Sequence, residues 1–233
     1  MGTSQNLVPA GQMQIQFETA APIDVQNFSY LIVLNTAGNN QQPYAQGLNT
    51  NFNNWSYFFI LGGGSSSVVG GTQYTNAPGL FQIYQNPATG TPGTFRVQLV
   101  PNEVTFVPTI PSGQYSGFEI TFNRCLLDLP SPVATPAPSA TPSPSPSPGA
   151  GSDCPPGVHG VLGALWNISL FTVDTTGAVV DSLSSTGPTN TDYTFSVAPE
   201  TLDTSKSDLK PANSTGVQNP ASQIVGITVY NTP

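Results

Sequence analysis

Charged side chains are scarce in this sequence, and their scarcity limits the partners that the protein can have. Only 7% of the residues are Asp, Glu, Lys or Arg, and 12 acids against 4 bases give a net charge of −8. An average soluble protein has about a quarter of its residues charged. Nucleic acid is excluded and anionic membranes are poor partners, because a run of phosphates cannot be neutralised by four scattered cations, Arg96, Arg124, Lys206 and Lys210.

Histidine and catalytic motifs are equally scarce. His159 is the single histidine, and one imidazole cannot build a typical zinc site without other ligands. The chain has no G-x-S-x-G turn of the kind that presents a nucleophilic serine, and the Gly-rich segment 62–71 has no lysine to hold a phosphate. We therefore expect neither a metal nor a cofactor, and a protein that is not an enzyme.

Long apolar runs are absent too, which excludes a transmembrane helix. The longest are LIVL (31–34) and FFIL (58–61), far short of the ~20 residues that cross a bilayer. The polar start MGTSQNLVPAGQ has no signal-peptide pattern. We expect a secreted or cell-surface protein whose signal sequence was removed, with residues 1–11 as a flexible tether and a lipid anchor before residue 1 in the precursor. The alternative is that Met1 is the native start.

Only two cysteines are present, and they flank a segment that is rich in proline, serine and threonine. Ten of the 24 prolines lie between Pro130 and Pro156, with Cys125 before the segment 130–157 and Cys154 inside its far end. Such a composition predicts an extended, disordered chain. A Cys125–Cys154 disulfide would join the two ends of the segment and stabilise the fold by roughly 3–4 kcal/mol. The alternative is two unrelated thiols.

Polar and apolar residues alternate elsewhere with a period of two, which is typical of strands that bury one face. Continuous apolar runs at 30–35 and 55–61 predict central strands that are covered on both sides. A short hairpin with Gly177 in its turn is expected at 174–180, and at most one helical turn at 200–210. The alternating stretches are QMQIQFET (12–19), GFEITFN (117–123), TDYTFSV (191–197) and QIVGITVY (223–230).

These strands, separated by Gly, Pro and Asn turns, predict an all-β fold. The expected architecture is an antiparallel β-sandwich with immunoglobulin-like or Greek-key connections. We expect residues 12–129 and 158–233 to form one sandwich, with 130–157 as an inserted loop. The alternative is that 130–157 links the first part to a small second β domain, which would bury a thin core.

The loop at 35–54 carries the strongest indication of a binding site. Half of its twenty residues are Asn or Gln, and planar amides both donate to and accept from hydroxyl groups. Aromatic rings add an apolar platform for a sugar, and a long loop on a rigid scaffold is a usual place for recognition. The alternative is that the amides cap turns and Trp55 anchors the core. The predicted ligand-binding residues are Tyr44, Asn51, Phe52, Asn54, Trp55 and Tyr57.

The stretches FSYLIVLNTAGNN (28–40) and NWSYFFILGGG (54–64) resemble the core hairpin of DOMON-like and related bacterial sandwich modules. In those modules a strand ends in a (D/N)T-x-G turn, and a W-x-Y-F strand follows. The resemblance implies a β-sandwich and covers about 40 of the 233 residues. Such modules bind sugars or haem, but no functional residue carries over. Met13 and His159 would be the only axial pair, and we do not expect haem.

Three functions follow from this class of protein. The first is a non-catalytic binding module, with a glycan or a surface protein as its partner. The second is a structural or adhesive surface protein that self-associates. The third is a glycoside hydrolase with paired carboxylates, for which the strand acids Glu18, Glu103 and Glu119 are candidates. These three carboxylates fall at outward-looking positions, where solvated strand faces are expected.

Overall fold

The computed structural model consists of β-strands and one short 3-10 helix, Arg124–Asp128, in the part of the chain that it describes. The strands are β1 (Gln12–Thr19), β2 (Phe28–Asn35), β3 (Tyr44–Ala45), β4 (Phe52–Asn53), β5 (Tyr57–Gly62), β6 (Val68–Val69), β7 (Thr72–Gln73), β8 (Gly79–Gln85), β9 (Pro92–Val97), β10 (Val104–Val107), β11 (Ser116–Asn123), β12 (Trp166–Asp174), β13 (Val179–Ser182), β14 (Phe195–Val197), β15 (Thr204–Ser207) and β16 (Ile224–Asn231). The described residues are 8–9, 11–37, 39, 41–45, 52–62, 68–69, 72–73, 79–85, 92–97, 104–110, 116–128, 166–183, 195–197, 204–207 and 219–231.

Two antiparallel sheets pack face to face, so the predicted all-β sandwich is confirmed. The five-stranded sheet has the order β10-β11-β1-β16-β15. The seven-stranded sheet has the order β13-β12-β2-β5-β8-β9, and β14 also pairs with β12. Two small hairpins, β3-β4 and β6-β7, lie outside these sheets. The described residues contain no helix that is long and apolar enough to cross a membrane.

The core between the sheets follows from the alternation in the sequence. Met13, Ile15 and Phe17 of β1 point inward, where they meet the inward-facing residues of the other sheet. Phe17 contacts Tyr30 edge-to-face, with ring centroids 5.6 Å apart, and stacks on Phe118 at 5.0 Å. Each such pair adds about 0.5–1.5 kcal/mol beyond the apolar area that it buries.

The seven-stranded sheet is buried on its outer face as well, as the continuous apolar runs in β2 and β5 predict. A second cluster of buried side chains lies on that face. Within it, Trp55 stacks on Phe171 with ring centroids 5.9 Å apart, and Phe58 stacks on Phe81 at 5.2 Å. The members of this outer layer are Leu31, Val33, Trp55, Phe58, Ile60, Phe81, Phe171 and Val173.

Strands from both sides of the Pro-rich segment 130–157 enter both sheets. In the seven-stranded sheet β12 lies between β13 and β2, and in the five-stranded sheet β16 lies between β1 and β15. Cys125 lies in the 3-10 helix that follows β11. Its side chain and all of Cys154 fall outside the described residues, as does the Pro-rich segment. The disulfide therefore stays a prediction.

The described part of the segment 200–210, where at most one helical turn was expected, is a strand. Thr204–Ser207 forms β15, which pairs antiparallel with β16 from Thr204↔Val229 to Ser207↔Gly226. Pairing with an existing strand satisfies the backbone N–H and C=O groups at once, whereas one isolated helical turn does not repay the entropy of its formation. The hairpin at 174–180 is confirmed, with Gly177 at a φ of +85°.

The Tyr30 hydroxyl joins the loop before β2 to the loop before β16. It accepts a hydrogen bond from the backbone N–H of Asp24 at 2.8 Å and donates one to the carbonyl oxygen of Ala221 at 2.9 Å. Burial raises the pKa of Tyr30 to about 12, and the backbone N–H of Asp24 offsets part of that rise. The phenol therefore stays neutral and keeps its proton for Ala221.

Replacing Tyr30 with Phe should destabilise the protein by about 1–3 kcal/mol, because it leaves two backbone groups without their partner. Urea denaturation followed by circular dichroism measures this. Tyr57→Phe is the matched control and should cost less, since the Tyr57 hydroxyl accepts from one side-chain amide, whereas the Tyr30 hydroxyl bonds two backbone groups. Equal stability of Tyr30→Phe and the wild type would show that the bridge contributes nothing.

Candidate functional site

Of the aromatic residues predicted to bind a ligand, those whose side chains the structure describes are buried. Trp55 is 6% exposed and Tyr57 is 4% exposed. Trp55 belongs to the outer layer on the seven-stranded sheet, and Tyr57 lies in the core between the sheets, where its hydroxyl accepts from Gln82 Nε2 at 3.2 Å. Neither ring face is open at the surface. The side chains of Tyr44 and Phe52, and all of Asn51, lie outside the described residues.

The described amides of this loop support its own backbone. Asn35 Nδ2 donates to Asn39 Oδ1 at 2.9 Å and to the carbonyl oxygen of Gln41 at 2.7 Å. Asn167 Nδ2, on β12, donates to the same carbonyl at 3.0 Å. Asn54 is exposed, has a φ of +61° and donates from Nδ2 to the carbonyl oxygen of Gln42 at 3.1 Å. These amides hold the turns of the loop, which is the alternative interpretation given above. Ligand binding by the loop stays a prediction.

A different set of polar side chains converges on the outer face of the five-stranded sheet. They alternate with the core residues of three adjacent strands, β11, β1 and β16, and therefore all point away from the core. We call this set the polar face. The six residues that carry this name are Gln14, Gln16, Glu18, Glu119, Thr121 and Thr228. Tyr230 of β16, directly opposite Gln14, lies on the same side of the sheet.

Glu119 is the centre of a hydrogen-bond network on the polar face. Its Oε1 accepts from Gln14 Nε2 at 2.8 Å, and its Oε2 accepts from Gln16 Nε2 at 2.9 Å. Gln14 Nε2 also donates to Thr121 Oγ1 at 3.1 Å. Gln16 is directly opposite Glu119 in the strand register, and Gln14 is opposite Thr121. Register alone therefore places both amides within reach of one carboxylate.

One strong acceptor on the polar face has no partner. Gln14 is 8% exposed, and its Oε1 has no hydrogen-bond partner in the described part of the chain. A buried carbonyl oxygen that accepts no hydrogen bond costs about 1–3 kcal/mol. Buried polar atoms without partners are rare in folded proteins and call for an explanation, such as a bound molecule.

Glu18 lies between two glycines, at the end of the polar face away from Gln14. Its cross-strand neighbours are Gly117 on β11 and Gly226 on β16, so no side chain flanks it on either side. Burial raises the pKa of Glu18, and the hydrogen bond from Thr228 Oγ1 to Glu18 Oε1, at 2.9 Å, offsets part of the rise.

Gly117 is required where it stands. It has a φ of +144°, and a Cβ there would collide with the carbonyl oxygen of Phe17. No other residue combines this backbone conformation with so close an approach. The gap beside Glu18 is therefore fixed by the backbone.

An open cleft of about 360 Å³ lies at the start of β11. Ser116 and Gly117, which begin β11, form part of its lining together with residues of two neighbouring loops. Glu18 is directly opposite Gly117 in the register, but it is not one of the residues that line the cleft. The loop residues of the lining are Pro22, Ile23, Pro108, Thr109 and Ile110.

Glu18 and Glu119 do not lie on a solvated strand face, which corrects the expectation for these two carboxylates. Glu18 is 8% exposed and Glu119 is 6% exposed. Glu103 lies outside the described residues. The sequence holds a signal that could have indicated this: the outward positions of β1 are three Gln and one Glu. These long side chains can bridge neighbouring strands, whereas a solvated face carries ordinary charges.

The two carboxylates share a face but not a partner strand. Glu18 is a diagonal neighbour of Glu119 in the register, and such neighbours lie about 7–8 Å apart. Glu119 binds the amides of β1, whereas Glu18 binds Thr228 of β16. Within the described ranges there is no cluster of three or more His, Cys, Asp or Glu that could hold a metal ion.

Comparisons of the chain with protein-family models, with curated proteins and with solved structures found no match.

Replacing Glu18 with Gln should make the stability of the protein less dependent on pH. Because the pKa of Glu18 is raised above its usual 4.5, the folded state binds the proton more tightly than the unfolded state does. That stabilisation is complete below pH 4.5 and is lost as pH rises through the raised pKa. Urea midpoints between about pH 4 and pH 8 should therefore shift in favour of Glu18→Gln relative to the wild type.

Asp174→Asn is the matched control with the opposite sign. Burial tends to raise the pKa of Asp174, but the Thr176 side chain and the backbone N–H groups of Ala178, Thr176 and Gly177 lower it overall. Wild-type stability from this group is present at neutral pH and is lost as pH falls through the lowered pKa. Parallel pH profiles for Glu18→Gln and the wild type would contradict a role for the buried carboxylate.

Proposed function

We propose that the protein is a non-catalytic binding module, secreted or at the cell surface, whose polar face binds a polyhydroxylated ligand such as a carbohydrate. The observation that carries this proposal is the buried Oε1 of Gln14, which lacks a partner beside the Glu119 network. A ligand hydroxyl that donates to this oxygen would remove the cost of leaving it unpaired.

The chemistry of the polar face supports a ligand with many hydroxyl groups. Amides, carboxylates and threonine hydroxyls are the groups that form directional hydrogen bonds with sugars. Here the mutual hydrogen bonds of Gln14, Gln16 and Glu119 hold them in place before a ligand arrives. Such preorganisation lowers the entropy that binding has to overcome.

A binding screen against a glycan array and insoluble polysaccharides tests the proposal, with Gln14→Met as the key variant. Methionine has nearly the volume of glutamine but removes both the amide donor and the unpaired acceptor. We expect saturable binding by the wild type and at least a tenfold weaker affinity for the variant, equivalent to about 1.4 kcal/mol. Gln26→Met, at an exposed position in the loop before β2, is the matched control and should bind normally.

Tyr44→Ala distinguishes the polar face from the predicted loop site. If Tyr44→Ala abolishes binding while folded Gln14→Met binds normally, the loop holds the site and the polar face does not. If the wild type binds no glycan at all, the proposal is wrong. Light scattering would then test self-association, the second function expected from the sequence.

One observation favours hydrolysis as a second candidate function. Glu18 has a raised pKa, as a general acid requires, and Glu119 lies diagonally across from it on the same face. Two carboxyl groups can hydrolyse a glycosidic bond when they lie a defined distance apart. Release of reducing ends from a bound polysaccharide, lost in Glu18→Gln but kept in Asp174→Asn, would establish this activity. Binding without any release would exclude it for that polysaccharide.

A further inference from the structure

We propose that the protein carries an internal ester bond between the side chains of Gln14 and Thr121, formed by the chain itself with release of ammonia. The two residues lie in contact on the polar face, on neighbouring strands. The ester keeps Gln14 Oε1 as a carbonyl oxygen, so the inference goes beyond the proposed function and does not depend on it.

The hydroxyl of Thr121 lies against the amide of Gln14. The two residues are directly opposite each other in the register of β1 and β11, and Gln14 Nε2 lies 3.1 Å from Thr121 Oγ1. The amide carbon, Cδ, is bonded to that nitrogen. A small rotation of the Thr121 side chain therefore brings its oxygen to the roughly 3–3.5 Å from the amide carbon at which attack begins.

Glu119 lies at the atom that has to leave. Its Oε1 accepts from Gln14 Nε2 at 2.8 Å, and its Oε2 accepts from Gln16 Nε2 at 2.9 Å. A carboxylate within about 2.6–3.2 Å of a reacting group can carry a proton to or from it. The hydrogen bond from Gln16 fixes the orientation of the carboxylate. A proton carrier is therefore held beside the departing nitrogen.

The reaction exchanges one bond at the amide carbon. Thr121 Oγ1 attacks Gln14 Cδ, and the electron pair of the C=O double bond moves onto Oε1. When that pair returns, the C–N bond breaks and its electrons stay on nitrogen. The hydroxyl proton passes to this nitrogen by way of Glu119, and ammonia leaves. One C–O and one N–H bond form, one C–N and one O–H bond break, and nothing is oxidised or reduced.

Burial favours this reaction, because both reacting groups belong to the chain and nothing has to enter the site. Gln14 and Glu119 are each less than a tenth exposed, and Thr121 is half-buried. With so little water in the site, few water molecules compete with the hydroxyl for the amide carbon, and the finished ester is protected from hydrolysis. Ammonia that reaches the solvent becomes ammonium, which is not a nucleophile, so the bond is not reversed.

The same sheet contains a comparison pair that lacks this arrangement. Gln16 and Thr228 are also directly opposite each other, across β1 and β16. The amide nitrogen of Gln16, however, binds Glu119 on β11, which lies on the other side of β1 from β16. The hydroxyl of Thr228 donates to Glu18. We therefore expect no bond between Gln16 and Thr228.

The bond would protect the strand that follows the N-terminal segment. Residues 1–11, the expected tether, lead directly into β1, and Gln12 is the first residue of β1 that pairs with β11. Force on the tether would break the hydrogen bonds of β1 one after another from this end. A covalent bond at Gln14 would transmit the force to β11 instead, which suits a protein that is held at a surface.

Intact mass spectrometry of the purified protein, denatured after incubation in its folded state at neutral pH, tests the inference. We expect the wild type to weigh one ammonia less than its sequence requires. Proteolysis should then yield a branched peptide that joins β1 to β11 through Gln14 and Thr121. A wild-type protein of unchanged mass would overturn the inference. A loss of ammonia without this branched peptide would overturn it too, because succinimide formation at an asparagine also releases ammonia.

Paired variants assign the roles of the residues. Thr121→Val should keep its full mass, whereas Thr121→Ser, which keeps a hydroxyl, and the matched control Thr228→Val should lose ammonia as the wild type does. Glu119→Gln should form the bond roughly a hundredfold more slowly. Circular dichroism shows which variants are folded, and the wild-type mass decides the inference even where a variant is not. A branched peptide through Gln16 and Thr228, or an unchanged rate in folded Glu119→Gln, would overturn the assignment.

Discussion

The burial of β1 on both faces is the constraint on which the rest of the structure depends. Its inward residues, Met13, Ile15 and Phe17, need only apolar neighbours, and the opposite sheet supplies them. Its outward residues are polar and also buried, and a buried polar group is costly unless it is hydrogen-bonded. The register of β11 and β16 against β1 satisfies most of these groups and leaves Gln14 Oε1 without a partner among the residues that the structure describes. Packing on one side and hydrogen bonding on the other thus fix the same strand.

This constraint makes the end of the chain essential to its beginning. β16 pairs with β1 over nearly its whole length, and Thr228 supplies the hydrogen bond to Glu18. β12 likewise pairs with β2 from Asn167↔Asn35 to Asp174↔Phe28. Neither sheet is complete until strands separated by the Pro-rich segment have come together. Contacts so distant in sequence form slowly, because the chain loses entropy before they stabilise it.

The strand positions could be read from the sequence because alternation is a local property. β1 and β11 lie where the alternating stretches predict, and β2 and β5 are buried on both faces, as their continuous apolar runs indicate. Local pattern failed where a tertiary contact decided the outcome. Thr204–Ser207 looks polar and turn-like, but pairing with β16 makes it a strand.

The candidate site was harder to predict for the same reason. Trp55 was expected at a binding surface because it follows an amide-rich loop, yet it stacks on Phe171, more than a hundred residues away in the chain. Glu18 and Glu119 were expected to be solvated because strand carboxylates usually are. Their burial depends on neighbours that β11 and β16 bring alongside β1, and no local pattern reveals which strands become neighbours.

The two tryptophans report on different layers of the molecule. Trp166 is fully buried in the core between the sheets, and Trp55 lies in the outer layer on the opposite face of the seven-stranded sheet. They are the only tryptophans in the chain. The intrinsic fluorescence of the protein therefore comes from two shielded indoles on either side of one sheet. A variant that keeps only Trp55 would report fluorescence from the outer layer, and one that keeps only Trp166 would report it from the core. Unfolding of the outer layer could then be followed separately from separation of the two sheets.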